Sequence, residues 1–94
     1  MTDNQAPSEL DKRRKRLIFR SWHRGTKEMD IILGTFADIQ VLGFTESDLE
    51  AFERILGYSD PDLYDWISGK KEPPANIRDN VFEKLMNHKV TGRG

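Results

Sequence analysis

The sequence contains no cysteine. Disulfides, thiol nucleophiles and zinc–cysteine sites are thereby excluded, and a reducing compartment fits. No apolar run approaches the roughly 18 residues that a membrane-spanning helix needs. The first residues, MTDNQAPSELD, are polar and acidic. They have neither the apolar core of a signal peptide nor the arginines of a transit sequence, and the chain is read as cytoplasmic. No segment alternates apolar and polar side chains for long enough to be a strand, and there is no internal repeat or low-complexity tract.

Chemistry-bearing groups are also sparse. There are two histidines, His23 and His88, and neither has a metal-type partner three or four residues away. No glycine-rich phosphate loop occurs: Gly25, Gly34 and Gly43 each suit a helix end or a packing point. Asp60, Asp62 and Asp65 could suggest a cation site, but two of them sit in the first turn of a helix, where acids are simply favourable. Trp22, Trp66, Phe36 and Phe52 stand at helical spacing and read as core, not as a stacking platform for a flavin. The expectations are therefore no bound metal, no tightly held cofactor and no catalytic constellation, hence a non-enzyme.

What is present is charge, in an uneven distribution. The chain has 94 residues, enough for one domain with a thin core, and a third of them are charged, with a net charge of −1. Bulk charge does not mark a nucleic-acid binder. Yet Lys12 to Lys27 holds eight basic residues and no acid, whereas Glu28 to the end holds thirteen acids against seven bases. Such asymmetry points to a binding face.

The hydrophobic period predicts five helices and an all-α, compact five-helix bundle. Residues 1–7 read as a disordered tail, 8–90 as a single helical domain and 91–94 as a loose tail. Ser8 caps a first helix that runs to about Arg24, with Leu10, Leu17, Ile18, Ser21 and Trp22 near one face and Arg13, Arg16, Arg20 and Arg24 lining another. Gly25 stops it. Thr26 caps a second helix reaching about Val41, with Met29, Ile32, Leu33, Phe36 and Gln40 inward. Gly34 weakens that helix by roughly 1 kcal/mol unless a close approach requires it. Asp11, three residues after Ser8, stands in the place of a capping-box acid; Thr45 starts the third helix, with Asp48 at its third position, and Gly57 ends it. Asp60 caps a fourth, with Pro61 at its first position. A fifth runs from about Ala75 to Lys89.

The stretch RSWHRGTKEMD joins the first two helices. Its plain reading is a turn: Gly25 as stop, Glu28 as the acid that suits a helix start, and Arg24 paired with Glu28 at the surface for a few tenths of a kcal/mol. Its functional reading is a surface: it ends a basic helix face, Trp22 and His23 precede it, and turns project side chains to partners.

Arg24-Gly25-Thr26-Lys27-Glu28 resembles the RGxxE motif of the SdhE-type FAD assembly factors of succinate dehydrogenase, a family that includes the mitochondrial assembly factor 2 proteins. RLIFRSWHRGTKEMDIILGTFA resembles that family's first two helices. SDPDLYDWISGKKEPPA resembles its DxPDLxxW…G…P segment, here Asp60, Pro61, Asp62, Leu63, Trp66, Gly69 and Pro73. The resemblance covers roughly residues 10–90. It implies a five-helix bundle that binds the flavoprotein subunit of succinate dehydrogenase, and in some bacteria that of fumarate reductase, and promotes covalent attachment of FAD to a histidine of that subunit. FAD then belongs to the client. The motif carries Arg24, Gly25 and Glu28 onto the contact surface, and the flanking Arg20, Trp22 and His23 join them as expected partner-binding residues. The chain is expected to be a monomer without membrane or nucleic-acid partners. The alternative is a small helical nucleic-acid-binding domain using the Lys12–Arg24 basic face.

Overall fold

A computed structural model describes residues 8–88 and contains five α-helices: α1 Glu9–Trp22, α2 Lys27–Gln40, α3 Glu46–Leu56, α4 Asp60–Ile67 and α5 Asn80–Met86. Short 3-10 turns follow α2, at Val41–Gly43, and precede α5, at Ala75–Ile77. Among the described residues there is no strand. The tails read as disordered or loose lie outside the described residues, and the last helix ends at Met86, with Asn87 as its C-cap, short of the expected Lys89.

Each α-helix starts on a polar side chain that accepts from a backbone amide three residues on. Ser8 accepts from Asp11, Thr26 from Met29 and Thr45 from Asp48. Asp48 returns the bond to the Thr45 amide at 3.2 Å, which completes the capping box. Two helix starts differ from expectation. Ser59, not Asp60, caps α4, which leaves the Asp60 carboxylate free for another partner. The last helix begins at Asn80, not Ala75. Residues 75–77 close only three-residue turns, Arg78 is extended, and Asp79 caps α5 through the Phe82 amide at 2.8 Å. An extended residue followed by a strong cap interrupts what composition alone reads as one helix. α1 likewise stops at Trp22, because His23 leaves helical geometry two residues before Gly25.

The core is a single cluster. Leu17 comes from α1; Leu33 and Phe36 from α2; Leu49 and Phe52 from α3; Leu63 from α4; and Phe82 and Leu85 from α5. The rings of Phe36, Phe44 and Phe52 meet at tilted or edge-on angles with centroids 5.6–6.3 Å apart. α1 and α2 pack against each other as a hairpin, α3 lies against α1 and α5, and α4 leans on α5 through Trp66 and Phe82. Gly34 is buried under the Trp22 indole, and a Cβ there would overlap that ring. The close approach anticipated at Gly34 is therefore made by an aromatic side chain of the neighbouring helix.

Candidate functional site

The turn between α1 and α2 is closed from inside. Gly25 has φ of +118°, a region that L side chains rarely adopt. The Asp30 carboxylate reaches back from the first turn of α2 and accepts from the amides of both Arg24 and Gly25. Thr26 caps the helix that follows. The bend thus has the amides of Arg24 and Gly25 satisfied and its shape set before any partner is considered.

Arg24 points inward. Its side chain is 14% exposed, with Nε 2.9 Å from Asp60 Oδ1. Nη1 donates to the Leu56 carbonyl at 2.6 Å and Nη2 to the Tyr58 carbonyl at 2.7 Å. The expected Arg24–Glu28 surface pair is not among the ion pairs of the described residues; Asp60 takes Glu28's place. The physical reason lies in two helix ends. Leu56 is the last residue of α3, whose C-terminus favours a cation, and Asp60 is in the first turn of α4, whose N-terminus favours an anion. One guanidinium meets both and supplies the planar fork that two carbonyls and a carboxylate require. Arg24 of the first sequence segment and Asp60 of the second are therefore in direct contact.

The outward side of the turn belongs to Gly25 and Glu28. Nothing lies within 4 Å of the place where a Gly25 side chain would stand. Glu28, at the second position of α2, is exposed. Trp22 is half-buried against α2, over Gly34, and donates from Nε1 to Asp38 at 3.2 Å. His23 is exposed. Its ring stacks on Phe19 with centroids 4.0 Å apart, and its Nδ1 lies 2.7 Å from the Phe19 carbonyl. Arg20 is exposed one turn before Arg24.

The basic run divides in the same way. Arg13 forms a two-pronged bond to Glu53 at 2.8 and 3.1 Å, which raises the Arg13 pKa and lowers that of the carboxyl. Arg14 is held by Asp11 and by the Phe44 carbonyl. With Arg24, three of the eight cations are thus internal ties. The continuous face of Arg13, Arg16, Arg20 and Arg24 does not exist as such, because its two ends are committed to Glu53 and Asp60.

Two residues outside the expected set shape the site: Asp30 and Asp60. Asp30 has a local signal, an acid five and six residues beyond the two amides it accepts from. Asp60 stands in the second matching segment and at a helix start, but nothing in the sequence pairs it with Arg24. Among the described residues no group of three or more His, Asp or Glu side chains could hold a metal ion. The site offers shape, an exposed acid and a bare backbone.

A family model described as "Flavinator of succinate dehydrogenase" matches residues 15–89. The chain is 36% identical over 85 residues to a protein named "Succinate dehydrogenase assembly factor 2, mitochondrial" of Dictyostelium discoideum, covering 90% of this chain and 60% of that protein. It is 35% identical over 89 residues to the "FAD assembly factor SdhE" of Acetobacter pasteurianus, covering 95% of this chain and 82% of the relative. A protein of the same name from Legionella pneumophila is 33% identical over 72 residues, 77% of this chain and 91% of that protein.

Proposed function

The chain belongs to the family of flavinators of succinate dehydrogenase, and from that premise we propose that it binds the flavoprotein subunit of that enzyme and promotes covalent attachment of FAD to it. The observation that supports the reading is the α1–α2 turn, braced inside by Arg24 and Asp30 and open outside at Gly25 and Glu28. A rigid bend with a bare backbone admits close approach by another chain, and an exposed acid beside it supplies a charge-assisted contact. The chain contributes no catalytic group in this reading. It holds the client in a conformation in which client and flavin react with each other, a matter of proximity and orientation. FAD is the client's cofactor and is not tightly held here.

Within the same reading Gly25 and Glu28 touch the client, whereas Arg24 positions them through Asp60 and the carbonyls of α3. Arg20, Trp22 and His23 border the contact. The related flavoprotein of fumarate reductase is a second client to be tested. No helix of the described residues is long and apolar enough to cross a membrane. A cytoplasmic, monomeric protein is part of the proposal, carried by the sequence reading.

The test uses Glu28→Gln, which leaves the Thr26 cap and the Arg24 tie intact. Purified flavoprotein subunit is incubated with FAD and either wild type or variant, and covalent flavin is read by in-gel fluorescence. The expected result is a wild-type melting curve with flavinylation and client capture reduced about tenfold or more. Undiminished flavinylation by both Glu28→Gln and a folded Gly25→Arg would overturn the reading.

A further inference from the structure

The outer face of α1 is not accounted for by the fold or by the turn. Lys12, Lys15, Arg16, Phe19 and Arg20 recur three or four residues apart and so share one face. They line an open groove of about 510 Å³. Its lining contains no acid. Among the described residues Lys15, Arg16 and Arg20 make no ion pair within 4 Å, and the Lys12–Glu9 pair, at 3.6 Å, is exposed on both sides. The neighbouring Arg13 and Arg14 are tied inward, so the fold itself separates structural cations from free ones.

Phe19 stands in this strip 64% exposed. It is not a loose ring, because His23 stacks on it and contacts its carbonyl. The result is an aromatic knob held in place among cations, a form suited to anchoring a partner.

We propose that this strip is a second docking surface for the same flavoprotein client, and that it takes an acidic segment of the client whose apolar side chain seats against Phe19. The inference rests on the function proposed above. Charge complementarity names the acid, because every charged member of the groove is a cation. The exposed aromatic and the aliphatic stems of the lysines and arginines supply an apolar floor, which a phosphate backbone would not use. Continuity names the client: Arg20 and His23, at the end of the strip, lead directly into the turn that carries Gly25 and Glu28. From Lys12 to Arg20 the strip adds about 12 Å of helix to that contact.

The experiment measures association and dissociation rates of purified flavoprotein subunit with wild type, with a Lys15→Glu/Arg16→Glu variant and with Phe19→Ala, at low and high salt. All three residues are on an exposed helix face, and circular dichroism checks that the variants fold. The charge-reversed variant is expected to associate about tenfold more slowly at low salt, with a flattened salt dependence. Phe19→Ala is expected to dissociate about tenfold faster with the salt dependence kept. Wild-type constants in either variant, with wild type binding normally, overturn the strip and leave the proposed function standing. Failure of wild type to bind the flavoprotein overturns both. A duplex oligonucleotide bound by wild type and lost in the charge variant, while flavoprotein binding is unchanged, overturns the strip in favour of a nucleic-acid partner.

Discussion

Gly25 has open space where a side chain would stand, so the fold's own demand on it is conformational. Gly25→Ala is expected to destabilise the fold by about 1–3 kcal/mol in chemical denaturation. Gly43 gives the control: it too has open space, but without a positive φ, and Gly43→Ala is expected to be neutral or slightly stabilising. Equal losses at the two positions would refute the conformational account. Arg24→Ala leaves a largely buried carboxylate and two carbonyls without their donor, and is expected to lose about 2–4 kcal/mol with no partner present. Arg24→Lys should recover only part, since an ammonium lacks the planar fork. A loss of client binding in Arg24 variants of wild-type stability would show direct contact instead. The sequence told that Arg24 and Gly25 shape a turn, because glycine's freedom is a local property. It did not tell where the guanidinium goes, because its three partners lie 32, 34 and 36 residues away.

Helix ends follow the same division between local and distant causes. The caps at Ser8, Thr26 and Thr45 were legible because acceptor and donor lie three residues apart. Ser59 is hidden in the sequence because Asp60-Pro61 looks like a better start, and the Asp60 carboxylate answers Arg24 instead. Between α1 and α2, Gly34 is expected to tolerate no methyl: Gly34→Ala should cost about 1–3 kcal/mol by displacing the Trp22 indole. Combined with Trp22→Leu the penalty should be less than additive, which a double-mutant cycle reads directly. At the meeting of α2 and α5, His88 lies edge-on to Phe36, and its Nε2 is 2.8 Å from the Thr35 hydroxyl. That hydroxyl donates to the Ile31 carbonyl, so it accepts from the ring. Burial pushes the imidazole below its ordinary value of 6.5. The unfolded chain therefore binds more protons than the folded one just below that pH. The stabilising contribution is fully present above 6.5 and is lost as pH falls towards the lowered folded value. His88→Gln should flatten the dependence of melting temperature on pH between about 7 and 5, and an unchanged slope would show that another group controls it.

Across the whole molecule, the two segments that carry the family resemblance prove to be parts of one polar junction. The α1–α2 turn lies at one end of a hairpin, and α4 leans chiefly on α5. Arg24 spans the gap, with its backbone amide on Asp30 and its guanidinium on Asp60 and the end of α3. Five helices and their apolar faces could be read from periodicity, but this junction could not, because periodicity says which face is inward and not which polar groups meet there. The arrangement predicts where the molecule opens when the tie is removed. α4 is eight residues long and has only Leu63 fully buried, so its order depends on its ends. Hydrogen exchange on Arg24→Ala and, separately, on Asp60→Asn should rise about tenfold or more in α4, around Leu63 to Ile67. The amides of α2 around Leu33 to Ala37, in the centre of the core, should rise only by what the global loss of stability accounts for, so the excess in α4 is what is read. A rise of the same size in every helix would mean that the tie serves global stability alone. A rise confined to α4 and the turn would mean that one cation holds the docking surface in register with the far side of the bundle, so that a mutation at Asp60, remote in sequence from Gly25, disturbs the same contact.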